Sequence, residues 1–251
     1  MNKSKYTPAE IKKIESLSWK GPLNHNEQCN ETITNKYSEK WDSYLIEKSF
    51  GNIELKDKKI INVGGGYGKE AEILLENGAA KVAIIDIAKG QLKSALLRKK
   101  QHNLDNLELF LGDAEKLCFK DKSFDIGFIK LALHHFPDHE SAISEIFRVA
   151  NDIVFIDIME CSLTNSLNKI GLYKEEWNGI EPNRLNSKII KKIFEKNNRG
   201  ISIQYFFVPP YYGKSILLLT FIDSVSRMIN FGLPKSNILS NFFGNVAIIT
   251  G

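Results

Sequence analysis

The 251-residue chain has no long apolar segment: runs such as Ile216 to Leu219 are cut short, here by Thr220 and Asp223, so no membrane span is expected. Met1 to Lys20 is polar and charged and lacks the apolar centre of a secretory signal. Cysteine is scarce, and Cys29, Cys118 and Cys161 are scattered, with no close pair to hold zinc and no even set for disulfides. No metal site is expected, and the natural location is the cytoplasm. Repeats and low-complexity tracts are lacking too. Charge is close to balanced at +4 overall, but residues 161–251 hold eleven Lys and Arg against five Asp and Glu. A solvated basic face is the plainer reading of that excess. The functional reading is an electrostatic funnel for an anionic small substrate. No recognised nucleic-acid-binding module accompanies the charge, so nucleic acid is not the expected partner.

What is present is organised around residues 59–68. Ile60, Ile61 and Val63 read as a short buried strand, and Gly64, Gly66 and Gly68 form a G-x-G-x-G turn into a helix. Glycines there let a ligand approach the backbone, because no Cβ intervenes. The helix N-terminus behind them offers unpaired N–H groups and a positive dipole end. Alone, such a turn is equally compatible with any tight strand–helix junction. Asp86 changes the balance: it ends the next strand, where a carboxylate can accept hydrogen bonds from both ribose hydroxyls. A dinucleotide fingerprint would need a third glycine at position 69, which is lysine.

The hydrophobic 43% of the chain suffices for a core, and its length fits one α/β domain with an extension. Thr7-Pro8-Ala9-Glu10 is a capping-box pattern that starts a helix. A second helix is expected over 37–49. Strands are expected at 59–63, 81–86, 107–111, 123–129 and 152–158, alternating with helices at 69–77, 89–102 and 139–149. Continuous apolar strands between helices predict a doubly wound, mostly parallel sheet. Beyond Glu160, residues 161–185 read mainly as loop and 187–197 as a helix. Residues 201–208 and 246–250 read as strands. An amphipathic helix is expected at 215–231, with Leu218, Phe221, Ile222, Val225, Met228 and Ile229 on its apolar face. Completing the core is its favoured role, ahead of a dimer face or a substrate cap. The division is thus an N-terminal helical extension (1–57), a cofactor-binding core (58–160) and an acceptor-binding, sheet-completing region (161–251).

An ordered series of segments within 58–160 resembles the class I S-adenosylmethionine-dependent methyltransferases, in their small-molecule branch. It comprises Ile61-Asn62-Val63-Gly64-Gly65-Gly66-Tyr67-Gly68, Asp86, Gly112-Asp113-Ala114-Glu115-Lys116-Leu117 and Phe124-Asp125-Ile126. Leu133-His134-His135-Phe136 and Glu145-Ile146-Phe147-Arg148-Val149 complete it. The resemblance implies the Rossmann-like, seven-stranded fold, the cofactor S-adenosylmethionine and its product S-adenosylhomocysteine. It assigns Gly64, Gly65, Gly66, Tyr67 and Gly68 to the methionine and ribose portions, Asp86 with neighbouring Ile87 to the ribose, and Asp113, between Gly112 and Ala114, to the adenine amino group. Residues 130–135 would face the sulfonium and the acceptor. Two positions depart from the pattern. Asn62 stands where the family usually has Asp or Glu, and Lys130 puts a charge at the floor of the expected pocket.

Methyl transfer from a sulfonium chiefly requires alignment and desolvation, and a hydroxyl acceptor also benefits from a base. His134 and His135 are the leading candidates, one of the pair pointing inward, with positioning or core packing as the plainer alternative. Glu160 is the second choice. The acceptor should meet the parts outside the resemblance: Tyr37 and Trp41 as lid aromatics, Tyr211 and Tyr212 as lining, Arg184 toward an anion. The expected activity is methylation of a small polar, anionic (sugar or phosphorylated) acceptor, with O-methylation ahead of N-methylation, by a monomer or homodimer. A non-catalytic cofactor- or partner-binding protein and an RNA methyltransferase are the alternatives.

Overall fold

The computed structural model describes residues 6–19, 33–51, 53–169, 183–208, 225–230 and 244–251. Its strands are β1 (Lys59–Val63), β2 (Lys81–Asp86), β3 (Leu107–Leu111), β4 (Phe124–Lys130), β5 (Ala150–Ile158), β6 (Ser202–Phe206) and β7 (Val246–Thr250). They form one sheet in the order β3-β2-β1-β4-β5-β7-β6. β1 to β5 run parallel, and β7 is antiparallel to both β5 and β6. Strand order reverses between β1 and β4, so the connections at their carboxyl ends leave in opposite directions and open a crevice there.

The helices are α1 (Pro8–Ser18), α2 (Ile33–Phe50), α3 (Lys69–Glu76), α4 (Lys89–Gln101), α5 (His139–Val149), α6 (Ser162–Lys169) and α7 (Ser187–Lys196). Strand alternation sends Ile61, Val63 and Phe155 to one face, against Ile143 and Ile146 of α5 and Phe194 of α7. Ile60, Ile84, Phe128 and Val154 go to the other face, against Leu45 and Phe50 of α2, Leu74 of α3 and Ala95 of α4. Both faces of the central strands are covered, which is why β1, β2, β4 and β5 are mostly apolar rather than alternating, while the edge strand β6 alternates.

Four expectations need correction. α2 begins at Ile33, not 37, and packs on the sheet through Leu45, Ile46 and Phe50. Within the expected loop 161–185, Ser162–Lys169 is helical. The strand expected over 201–208 ends at Phe206 because its last residues pair with side chains. Asn230 brackets the backbone of Phe207 at 2.7 and 2.9 Å, and Asn245 that of Val208 at 2.8 and 2.7 Å. Of the amphipathic helix, residues 225–230 are helical, yet Val225 and Met228 are exposed and Ser226 is the buried residue. The remainder of that segment lies outside the described residues.

Candidate active site

Gly64, Gly66 and Gly68 have φ of +66°, +54° and +86°, a region that other residues enter only with strain. At Gly64 a Cβ would also sit 2.6 Å from the Ala132 Cβ, so glycine is needed for the turn to close on the segment after β4. Asp86, at the end of β2, ties this turn to the start of α4. Its carboxylate accepts from the Gly66 N–H at 2.9 Å and the Ala88 N–H at 2.8 Å. Burial pushes the Asp86 carboxyl above its usual value, the two N–H groups pull it back, and the nearby Glu15 carboxylate adds to the rise. Gln91, in the first turn of α4, presents a buried amide oxygen without a hydrogen-bond partner among the described residues. Gly112, Asp113 and Ala114 follow β3 and complete this side of the cleft.

The opposite wall is the segment after β4, and Asp157 of β5 holds it. That carboxylate is fully buried and accepts from the N–H groups of Ala132 at 3.1 Å and Leu133 at 2.7 Å, with His134 Nδ1 at 2.5 Å. Burial alone would raise the Asp157 carboxyl, but His134 and the N–H groups of Ile158 and Leu133 outweigh it and hold the group below its usual range. With His134 drawn inward, the tight helical turn Leu133–His135 puts His135 on the cleft side.

α1 forms the roof. Its capping box is complete: Thr7 Oγ1 accepts from the Glu10 N–H at 3.3 Å, and the Glu10 carboxylate accepts from the Thr7 N–H at 2.8 Å. Lys12, Glu15 and Trp19 point into the cleft. Lys12 Nζ pairs with Asp113 Oδ2 at 2.7 Å and also with Glu115. Glu15 accepts from the Trp19 indole N–H and lies 3.1 Å from His135 Nδ1. The Trp19 ring meets His135 edge-on at 5.5 Å. The cleft is open to one side and has a volume of about 160 Å³, with Leu131, Ala132, Phe136 and Pro137 among its apolar lining.

Of the residues expected from sequence, Gly64, Gly66, Asp86, Ile87, Gly112, Asp113, Ala114 and His135 converge on this cleft. Tyr67 turns away beneath Arg98, 5.1 Å from its guanidinium, and Gly68 backs onto Ile84 and Ala95. Asn62 is buried under the turn, its amide against Gly65, and does not reach the cleft. Lys130 pairs with Glu70 of α3 at 3.0 Å, so the charge at the end of β4 is met within the protein. His134 is a buried partner of Asp157, and Glu160 is exposed, accepting from the Asn186 amide at 2.5 Å. Trp41 is buried on α2, edge-on to Tyr44 at 5.5 Å, and is not a lid residue. Arg184 donates to the Met159 carbonyl at 3.5 Å, away from the cleft. The Tyr37 side chain, Tyr211 and Tyr212 lie outside the described residues. Sequence reasoning missed Lys12, Glu15, Trp19, Gln91 and Glu115. A signal existed for the first three: they stand at i, i+3 and i+7, one face of α1 continued to its C-cap Trp19.

Residues 61–152 match the family described as "Methyltransferase domain". Among curated proteins, the chain is 30% identical over 106 residues to phthiotriol/phenolphthiotriol dimycocerosates methyltransferase 1 of Mycobacterium ulcerans, covering 42% of this chain and 38% of that protein. It is 27% identical over 174 residues to demethylmenaquinone methyltransferase of Geobacillus stearothermophilus, covering 68% and 72%. The first of these matches thus spans well under half the relative's length. Among solved structures, magnesium protoporphyrin IX methyltransferase from Synechocystis with bound S-adenosylhomocysteine superposes with a TM-score of 0.60. That match has 16% identity and covers 82% of this chain and 95% of that one. At such identity the likeness is one of fold.

Proposed function

We propose that this chain, whose residues 61–152 match the methyltransferase-domain family and whose fold is that of class I methyltransferases, transfers a methyl group from S-adenosylmethionine to a hydroxyl of a small acceptor. The carrying observation is the pairing of Asp86 with the Gly66 N–H, 2.9 Å apart, near the Gln91 amide oxygen, which has no partner among the described residues. Two adjacent acceptors at the rim of a glycine turn suit the vicinal hydroxyls of a ribose. The pair of acceptors therefore fits the nucleoside cofactor. Backbone around Gly64 and Gly66 would hold its amino-acid portion, and Asp113 with Ala114 its base.

When bound, S-adenosylmethionine supplies an electrophilic methyl group on a positively charged sulfur. The chain's own contribution is alignment, exclusion of water and, for a hydroxyl acceptor, proton removal. Trp19, Leu131, Phe136 and Pro137 keep water out. His135 is the base in this reading: Glu15 engages Nδ1, which fixes the tautomer and assigns Nε2 to the acceptor's proton. Asp157 acts one step behind, holding the backbone that carries His135.

Acceptor recognition falls in this proposal to α1 and to residues 161–251, whose positive charge favours an anionic acceptor such as a phosphorylated sugar. A second reading, a more apolar hydroxylated acceptor of the quinol or lipid-alcohol kind, is favoured by the aromatic and aliphatic lining of the cleft. The two relatives, named for dimycocerosates and demethylmenaquinone, favour it as well. Isothermal titration with S-adenosylmethionine and S-adenosylhomocysteine tests the cofactor, and saturable binding of both is expected. Failure of both to bind sinks the proposal. Methyl transfer to a panel holding sugar phosphates and dihydroxyaromatics then separates the two acceptors.

A further inference from the structure

Four carboxylates line the cleft, and three have a settled environment. Asp86 accepts two backbone N–H groups, while Asp113 and Glu115 share the Lys12 ammonium. The fourth, Glu15, is 5% exposed. Its partners are the Trp19 indole N–H and a histidine nitrogen, and no lysine or arginine pairs with it among the described residues. A buried carboxylate without a fixed cation is costly, and a positively charged ligand offsets that cost. Glu15 also lies close enough to Asp86 to push that carboxyl upward, so a second negative charge crowds the same wall. The amide at Asn62 removes the charge expected in the strand before the glycine turn and lies out of reach beneath it.

Building on the cofactor reading above, we propose that Glu15, delivered by α1, is the counter-charge through which the cleft prefers the cationic methyl donor to its neutral product. The donor and product differ by one methyl group and one positive charge. A carboxylate buried beside His135 in the cleft feels that charge with little screening. Product release after transfer then follows from the loss of the attraction. α1 is therefore part of the cofactor site, selecting for charge, while the glycine turn and Asp86 recognise the portions common to both compounds.

The test is isothermal titration of wild type, Glu15→Gln and Trp19→Phe with three ligands: S-adenosylmethionine, S-adenosylhomocysteine and sinefungin. The last carries an ammonium-bearing carbon in place of the sulfonium. Glutamine keeps the helix propensity and can still accept from the indole N–H, so Glu15→Gln should fold. The expected result is a loss of about tenfold for the two cationic ligands, with S-adenosylhomocysteine changed less than about threefold. Trp19→Phe, which keeps the carboxylate, should retain the discrimination. Equal weakening of all three ligands in Glu15→Gln overturns the proposal, because Glu15 would then only hold α1 in place; so does no change. If wild type binds none of the three, the cofactor reading itself fails and this inference with it.

Discussion

Asp157 is the one acidic residue among the apolar side chains of Ile153 to Ile158, and its burial is tolerated because its oxygens accept from the Ala132, Leu133 and Ile158 N–H groups and meet His134. Replacing it with asparagine leaves His134 and the Ala132–Leu133 amides facing a neutral group with one acceptor oxygen. Asp157→Asn should lower unfolding free energy at neutral pH by about 3 kcal/mol in urea titrations. The pH dependence has a definite sign. A carboxyl held below its usual value stabilises the fold fully above the ordinary carboxylate range, and that contribution is lost as pH falls through the depressed value. Wild type should therefore lose stability below about pH 4 more steeply than Asp157→Asn. A parallel slope in both proteins counts against the pair. Asp86 makes a different prediction, because its role is toward a ligand. Asp86→Ala should weaken S-adenosylhomocysteine binding by about a hundredfold in titration calorimetry, and unchanged affinity would remove Asp86 from the site. Positions such as Gly64 and Asp86 were legible because backbone conformation or strand-end placement dictates the residue type. Lys130 was not, since its partner Glu70 is sixty residues earlier and only the fold brings them together.

At the scale of elements, the strand–helix alternation of residues 59–158 was readable because its central strands are largely apolar runs bounded by turn residues, whereas the strand order came only from the fold. Residues 162–169 were not: Ser-Leu-Thr-Asn-Ser-Leu-Asn-Lys has weak helix propensity, and Ser, Thr and Asn favour loops as readily. The roof helix was half readable. Its capping box gave its start, but Lys12 and Glu15 look like a solvated surface until the fold supplies Asp113 and His135. Contacts between elements carry the third prediction. β4 approaches α5 at Gly127, where an added Cβ would collide with Ile146 Cγ2 and lie 3.3 Å from the Ala150 Cβ. Neither neighbour can yield, one being a buried branched side chain and the other the backbone-proximal atom at the start of β5. Gly127→Ala should destabilise by about 2 kcal/mol. Adding Ile146→Ala should recover part of that loss in a double-mutant cycle, whereas strict additivity would show that the close approach is not the cause.

For the whole molecule, the cleft joins parts of the chain that are otherwise held separately. The glycine turn, Asp86 and Asp113 belong to the sheet's carboxyl edge, and His135 to a segment fixed by Asp157. α1 docks through the Lys12 ion pairs and the Glu15–His135 contact, with Ile11 as its buried apolar residue. A ligand that touches all three binds the native state alone, so at one hundred times its dissociation constant it should add about 2.7 kcal/mol to unfolding. Where that free energy appears is the sharper question. Local opening of α1 needs the loss of the Lys12 ion pairs and of the Ile11, Glu15 and Trp19 contacts, whereas amides of β1 and β4 exchange only when the core opens. In hydrogen-exchange measurements, S-adenosylhomocysteine should slow residues 8–18 as well as 64–68 and 131–136. Protection confined to the glycine turn and the segment after β4 would mean that α1 covers the cleft without contributing to it. Protection that includes α1 makes the N-terminal helix a working wall of the site, and the polar face Lys12–Glu15–Trp19 is then explained by the ligand rather than by solvent.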